Sequence, residues 1–263
     1  MLMELENFHY LISGAQNRPW LVFIHGLAGS SSNWRKIIPH FEGDYRVLVY
    51  DQRAHGKSFA PESGYAPEDY AGDLKFLLDS LKISKASIVG HSMGGRTALC
   101  FANLYPEMTE KLVIEDIGPG KSEVNGSQLA KRLKSIPVPF TDKIRAKQYL
   151  LNDFGDSKLG MFLYTNIVED ETGRGVWRIR MDKIIETLEN GRNKDRWFEL
   201  EKLTCATLVI RGELSEELSA QEFTKMQAKN HVIKGVEVSG AGHWVHFDQR
   251  LVFIEILQKF LQA

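Results

Sequence analysis

The segment Gly90–Gly94, with the sequence GHSMG, places Ser92 between two glycines at the spacing G-x-S-x-G. It follows the apolar run Ala86–Val89 directly and opens a helical pattern over Met93–Leu104. A sharp strand-turn-helix needs glycines where backbones approach closely, and a helix N-terminus stabilises negative charge that develops beside it. The pattern predicts that Ser92 is a nucleophile. The alternative interpretation is a glycine-rich turn with a helix-capping serine.

A histidine that could act as the base for this serine lies in the segment Gly240–His246, after the last predicted strand. A catalytic base must be held within reach of its nucleophile, and His243 stands among small residues that allow a close approach. We interpret His246, three positions further on, as structural. The other histidines lack this placement and are predicted to be structural or exposed: His9, His40, His55, His91 and His231.

A second glycine-containing loop, His25–Gly29, follows the buried run Trp20–Ile24. Such a loop can direct a backbone N–H into a site at the end of a strand. We therefore predict that the N–H groups of Leu27 and Met93 form an oxyanion hole. The alternative is an ordinary turn between a strand and a helix.

Short apolar runs alternate with helical patterns along most of the chain, which predicts a mostly parallel sheet flanked by helices. The predicted strands are Leu5–Ile12, Trp20–Ile24, Arg46–Tyr50, Ala86–Val89, Lys111–Glu115, Ala206–Arg211 and Gly235–Val238. The predicted helices of this alternating part are Asn33–His40, Pro67–Leu81, Met93–Leu104, Ser219–Gln227 and Gln249–Leu261. The fold class is α/β.

The alternation stops near Pro119, and no strand pattern stands out again before about Arg196. The helical patterns in between are Ser127–Ser135, Asp142–Asn152, Lys158–Val168 and Met181–Glu189. An insertion of this length between strands is usually functional. We predict a core of residues 1–119 and 197–263, and a helical cap of residues 120–196, called the cap segment below.

Composition excludes several classes of function. The 263 residues carry 33 basic and 34 acidic side chains, a balance without the positive patch that nucleic acid or an anionic membrane requires. Cys100 and Cys205 lie in apolar surroundings, which predicts free buried thiols. No Cys/His spacing is typical of a metal site, and no apolar run approaches a membrane span. The expected location is the cytoplasm.

Four blocks of the sequence resemble the signature blocks of the α/β-hydrolase superfamily. They are His25-Gly26, the segment Asp51–Ser58, the segment Gly90–Gly95 and the segment Gly240–His243. The resemblance implies the α/β-hydrolase fold and the chain order serine, acid, histidine. It also implies that Asp51 and Arg53 brace a loop. Serine at the nucleophile position argues against members of the superfamily that use aspartate there.

The third member of the site departs from the usual pattern of the superfamily. Most members carry the acid three residues after the glycine that ends the strand Ala206–Arg211, and here that position is Ser215. A serine cannot balance an imidazolium charge as a carboxylate does. One of the neighbouring residues Glu213, Glu216 and Glu217 could substitute, or the acid could come from elsewhere.

Asp116 is the leading candidate, because it ends the preceding strand of the predicted sheet. Neighbouring strands lie about 4.8 Å apart, so Asp116 could reach His243 from one strand over. The arrangement resembles a small bacterial esterase subgroup of the YbfF type. That resemblance implies that Asp116 and Ser215 together assist His243. The alternative for Asp116 is a turn-forming residue before Gly-Pro.

The expected function is hydrolysis of a small carboxylic ester or thioester through an acyl-enzyme, with a Ser92, His243 and Asp116 triad assisted by Ser215. No metal or organic cofactor is expected. The expected partner is the small-molecule substrate, with no nucleic acid and no membrane, and no oligomeric state is indicated. The alternatives are a lyase like those of the menaquinone pathway, a C–C bond hydrolase, and a ligand-binding receptor on a hydrolase scaffold.

Overall fold

A seven-stranded sheet forms the centre of the computed structural model, which describes residues 3–121 and 124–263. Its strands are β1 (Tyr10–Ser13), β2 (Trp20–Ile24), β3 (Arg46–Tyr50), β4 (Ala86–His91), β5 (Thr109–Glu115), β8 (Ala206–Gly212) and β9 (Ile233–Val238), while β6 (Ile167–Glu169) and β7 (Gly175–Trp177) pair separately. The order across the sheet is β1-β3-β2-β4-β5-β8-β9. Within this seven-stranded sheet, as far as the structure describes it, only β1 runs antiparallel to its neighbour. The chain therefore has the α/β-hydrolase fold that its sequence predicts.

Helices cover both faces of the sheet. In the described ranges the α-helices are α1 (Pro67–Ser80), α2 (Met93–Leu104), α3 (Val124–Lys134), α4 (Lys143–Gln148), α5 (Ser157–Tyr164), α6 (Met181–Gly191), α7 (Trp197–Glu201), α8 (Ala220–Lys229), α9 (Val245–Asp248) and α10 (Arg250–Gln262). The short 3-10 helices are Leu5–Asn7, Ser31–Trp34, Ile38–His40 and Pro106–Met108, and Tyr149–Asp153 forms a π-helical turn. None of the helices in these ranges is long and apolar enough to cross a membrane.

Alternate side chains of β2 point to opposite faces of the sheet and pack in two separate parts of the core. Val22 and Ile24 pack in a cluster with α1, α2 and α8, whereas Leu21 and Phe23 pack in a cluster with Trp34 and α10. Successive side chains of a strand point to opposite faces, so a wholly apolar strand is buried on both sides. This burial fixes the register of the central strands and hence the positions of the loops at their carboxyl ends.

Two predicted elements near the N-terminus were wrong in type or extent. The predicted strand Leu5–Ile12 is a 3-10 helix over Leu5–Asn7 followed by β1, because the Asn7 side chain accepts a hydrogen bond of 2.9 Å from the Glu4 backbone N–H. The predicted helix Asn33–His40 is two separate 3-10 helices. Pro39 lies in the second of them and has no N–H to donate to a longer helix.

The cap segment contains helices where the sequence predicts them, and also a hairpin that was not predicted. The helix predicted over Lys158–Val168 ends at Tyr164, and β6 begins three residues later. Strands as short as β6 and β7 leave no alternation to detect, and the polar turn between them is closed by the Asp170 side chain. The helix predicted over Asp142–Asn152 is α4 followed by the π-helical turn. The boundaries of the cap at residues 120 and 196 stay a prediction.

Candidate active site

Ser92 stands on a strained turn between β4 and α2. Its backbone has φ 52° and ψ −120°, which a residue with a side chain rarely adopts. The Ser92 N–H donates a hydrogen bond of 2.9 Å to the carbonyl of Glu115 on the neighbouring strand β5. The turn is thereby attached to the sheet, and it presents the serine at the carboxyl end of the strands.

The glycines of the turn are required by close backbone contacts. A Cβ at Gly94 would lie 2.5 Å from the carbonyl oxygen of Ile24, and a Cβ at Gly90 would overlap the carbonyl group of Gly94. Real Cβ atoms do not approach backbone atoms so closely. The spacing of glycines around Ser92 therefore reflects how tightly α2 packs against the ends of β2 and β4.

His243 lies between Ser92 and Asp116. Its Nε2 atom is 2.9 Å from Ser92 Oγ, and its Nδ1 atom is 2.9 Å from Asp116 Oδ2. The His243 side chain is 19% exposed, whereas the Asp116 side chain is fully buried. With Nδ1–H donating to the carboxylate, Nε2 is free to accept the hydroxyl proton of the serine. The structure thus brings together three of the residues predicted from the sequence.

The Asp116 carboxylate accepts hydrogen bonds from several donors. Besides His243, the hydroxyl of Ser215 donates to Oδ2, and the N–H of Gly212 donates to Oδ1 at 2.9 Å. The Ser215 hydroxyl in turn accepts the N–H of Glu217 at 3.1 Å. A buried carboxylate is costly unless its oxygens are paired, and these contacts provide that pairing.

The three glutamates that could have replaced Asp116 are placed elsewhere. Glu213 accepts hydrogen bonds from the Ser239 hydroxyl at 2.7 Å and the Gly240 N–H at 2.8 Å, and these contacts lower the pKa of its carboxyl. Glu217 pairs with Arg192 at 2.5 Å. Glu216 is exposed at the wall of the cavity described below. In the part of the chain that the structure describes, the carboxylate that contacts His243 Nδ1 is that of Asp116.

The predicted oxyanion residues lie beside the serine. Leu27 and Met93 both line the same cavity as Ser92, and Met93 is the first residue of α2. A Cβ at Gly26 would lie 3.2 Å from the Ser92 Cβ, so the loop after β2 passes directly against the turn. The assignment of the two N–H groups to an oxyanion hole stays a prediction.

A cavity of about 510 Å³ opens above Ser92 and His243. Side chains of the cap segment form much of its wall, six of them apolar and six polar or charged. The apolar members from the cap segment are Leu129, Leu133, Leu159, Phe162, Leu163 and Leu188. Such a cavity can enclose a small apolar group while its floor presents the polar side chains.

Asp51 and Arg53 brace loops, as the sequence predicts. Asp51 accepts the backbone N–H groups of Ser31 and Lys57 at 2.7 Å and 2.9 Å. Arg53 forms a buried ion pair with Asp73 at 2.5 Å. Neither Asp51 nor Arg53 is among the residues that line the cavity.

Sequence reasoning did not identify Glu115, and it placed His91 among the structural or exposed histidines without a contact to the site. His91 is buried, and its ring Nε2 lies 2.9 Å from the carbonyl oxygen of His243. Glu115 is also buried and binds His246. The available signal was position in the chain, since His91 precedes Ser92 and Glu115 precedes Asp116. Nothing in those positions identifies what the side chains would contact.

Comparisons with known proteins agree with this geometry. Residues 19–249 match the family described as alpha/beta hydrolase fold. The chain is 32% identical over 255 residues to the sn-1-specific diacylglycerol lipase ABHD11 of Danio rerio, covering 92% of this chain and 78% of that protein. It is 31% identical over 271 residues to the protein of that name from Mus musculus, covering 99% and 86%.

A solved structure described as a marine microorganism esterase superposes with a TM-score of 0.85 at 29% identity, covering 96% of this chain and 98% of that one. The sequence match extends over most of the core and the whole cap segment. The fold, the position of the serine turn and these relatives lead to one conclusion. The chain belongs to the α/β-hydrolase family, and it is a hydrolase of that fold.

Proposed function

We propose that the protein hydrolyses small carboxylic esters or thioesters through an acyl-enzyme intermediate on Ser92. The observation that carries the proposal is the pair of 2.9 Å contacts that join Ser92 to His243 and His243 to Asp116. A serine hydroxyl is a weak nucleophile until a neighbouring base can remove its proton. This arrangement supplies such a base, already oriented by a carboxylate.

In the acylation step, Ser92 Oγ attacks the carbonyl carbon while its proton passes to His243 Nε2. The carbon–oxygen or carbon–sulfur bond to the leaving group then breaks, and His243 returns the proton to the alcohol or thiol. Asp116 holds the imidazole in the required tautomer and balances its charge. The N–H groups of Leu27 and Met93 stabilise the negative oxygen of the tetrahedral intermediate. Water then attacks the acyl-enzyme in the same way. His243 takes the proton of the water and passes it to Ser92 Oγ, and the carboxylic acid is released.

The cavity wall supports an apolar acyl or alcohol group as the part of the substrate that is recognised. We infer that residues 120–196 form a cap domain that encloses this group, because their leucines and Phe162 face the cavity above Ser92. The diacylglycerol lipases among the relatives agree with an apolar acyl substrate. A small-molecule ester or thioester is therefore the proposed partner.

Substitution of Ser92 by alanine tests the proposal. We expect kcat for an aryl ester to fall by at least about 10⁴-fold with the fold unchanged, because the nucleophile is lost. Wild-type protein should also be labelled by a fluorophosphonate probe, and Ser92→Ala should not. More than a tenth of the wild-type activity in folded Ser92→Ala would contradict the proposal. Labelling of wild type without turnover of any ester or thioester would favour the ligand-binding alternative.

A further inference from the structure

Two adjacent acids at the end of β5 bind two histidines that are three residues apart. Asp116 binds His243, and Glu115 binds His246. The Glu115 side chain is fully buried, and its Oε1 atom accepts both the backbone N–H and the ring Nδ1–H of His246 at 2.8 Å. The second carboxylate oxygen lies 3.0 Å from the same ring nitrogen. The loop that carries the base is thus attached to β5 at two successive residues.

His91 completes a buried group of rings behind the base. Its ring centroid is 4.7 Å from that of His243 and 4.9 Å from that of His246. Burial holds the pKa of His91 well below its ordinary value, so the ring is neutral. Its Nε2–H donates to the His243 carbonyl at 2.9 Å. The His91 ring therefore packs against His246 on one side, and its hydrogen bond holds the backbone of His243.

Glu115 and His246 do not line the cavity. Glu115 contacts His246, and His246 packs against His91, which does line the cavity. Within this group, His91 Nε2, His246 Nδ1 and both Glu115 carboxylate oxygens are engaged in hydrogen bonds with one another or with His243. The group is therefore built as a hydrogen-bonded support.

We propose that Glu115 is a positioning residue that, through His246 and His91, holds His243 at its distance from Ser92. The proposal rests on the proposed function, in which His243 is the base. A displacement of about 1 Å in a catalytic group can reduce a rate by about 10²-fold. Without the Glu115 contacts, the loop at His246 is released and His243 can move by about 1 Å.

The test compares Glu115→Ala and Glu115→Gln with a matched control, Asp73→Asn. Asp73 is also a buried acid, paired with Arg53, and it does not line the cavity. For each variant, kcat, KM, the inactivation rate by a fluorophosphonate and the free energy of unfolding are measured.

We expect Glu115→Ala to lose about 10²-fold in kcat and in the inactivation rate, with KM within about threefold of wild type. Glu115→Gln keeps an acceptor for the His246 N–H and should lose only about tenfold. Asp73→Asn should lose stability while the folded protein keeps its kcat. Where Glu115→Ala does not fold, His246→Gln serves as the second variant, with an expected loss of about tenfold in kcat.

A wild-type kcat in folded Glu115→Gln and His246→Gln overturns the positioning role. The positioning role is also overturned if activity decreases no more than the folded fraction does, as expected for Asp73→Asn. These outcomes leave the proposed function intact as long as Ser92→Ala is inactive. Activity in Ser92→Ala would instead defeat the proposed function itself, so the two failures are distinguishable.

Discussion

At the scale of single residues, the proposed chemistry depends on the hydrogen bonds that the buried Asp116 carboxylate accepts. Asp116 adopts φ 52°, which turns the chain sharply after β5 and lets the carboxylate face β8. There it accepts hydrogen bonds from Gly212, Ser215 and His243. The hydroxyl of Ser215 thus donates a hydrogen bond to the carboxylate oxygen that also faces the His243 ring.

Asp116→Asn should reduce kcat by roughly 10³–10⁴-fold. An amide favours the wrong imidazole tautomer and cannot balance the charge of the protonated ring. Glu216→Gln is the matched control, since Glu216 lies at the cavity wall but is exposed. We expect it to lose less than about tenfold. Steady-state kinetics of both variants check the prediction, and inactive Glu216→Gln with active Asp116→Asn would reverse the assignment of the acid.

Ser215→Ala should have an intermediate effect. It removes one hydrogen bond to a buried carboxylate, a contact worth about 1.5–3 kcal/mol, and so we expect kcat to fall by roughly 10–150-fold. The variant leaves the His243–Asp116 contact in place, so fluorophosphonate labelling of Ser92 should persist at a lower rate. An unchanged kcat and labelling rate would show that the Asp116 carboxylate does not need this donor.

At the scale of elements, the position of the serine depends on how closely α2 packs against the strands. The first turn of α2 lies against the carbonyl groups at the end of β2, and the turn before it adopts a strained conformation. The same packing brings the loop after β2 beside Ser92. The elements therefore leave no room for an additional methyl group at this point.

Gly94→Ala should destabilise the protein by about 1–3 kcal/mol and reduce kcat, because its Cβ would lie 2.5 Å from the Ile24 carbonyl oxygen and would force α2 outward. Gly72→Ala is the matched control. Gly72 lies in the interior of α1, and a Cβ there would meet nothing within 4 Å. We expect the control to stabilise the helix by about 0.5–1 kcal/mol with kcat unchanged. Denaturant unfolding and kinetics distinguish these outcomes.

The central elements could be predicted from the sequence because burial on both faces leaves a clear pattern. Trp20–Ile24, Arg46–Tyr50 and Met93–Leu104 have the bounds that their apolar runs predict. The partnership of Asp116 with His243 followed from the order of neighbouring strands. By contrast, β6 and β7 are too short to carry a period, and a local hydrogen bond at Asn7 overrides the strand pattern there.

The support of the base could not be predicted, because it depends on tertiary contacts alone. Glu115 is one of several polar residues of β5, and its sequence neighbours do not indicate a contact with a histidine far along the chain. The position of His91 in the sequence likewise does not indicate which residue its ring contacts. Only the three-dimensional arrangement shows that these two side chains meet the loop of His243.

At the scale of the whole molecule, several histidines are buried in neutral form. Burial lowers the pKa of His25 and His91, and it lowers that of His55 to about 3. The His55 ring donates one hydrogen bond of 2.8 Å, from Nδ1–H to the Arg53 carbonyl. In the unfolded chain these rings take up a proton near pH 6.5, whereas in the folded protein they do so only at lower pH. Protonation of these rings at low pH therefore favours the unfolded chain.

The free energy of unfolding should fall as the pH drops below 6.5, and the part due to His55 should continue to fall down to about pH 3. One such histidine costs about 2 kcal/mol between pH 7.5 and pH 5. His55→Gln should lower this pH dependence by about that amount. Urea unfolding at both pH values measures the difference, and equal slopes in wild type and His55→Gln would contradict it.

The position of Asp116 directly after β5 has a consequence for how the loop after β8 can vary. The loop after β8 supplies one hydroxyl and one N–H to Asp116, and its Leu214 and Glu216 side chains face the cavity. The loop can vary at Leu214 and Glu216 while Gly212 and Ser215 still bind the Asp116 carboxylate, which lies directly after a neighbouring strand. These two positions are therefore the natural place for a library aimed at new substrates.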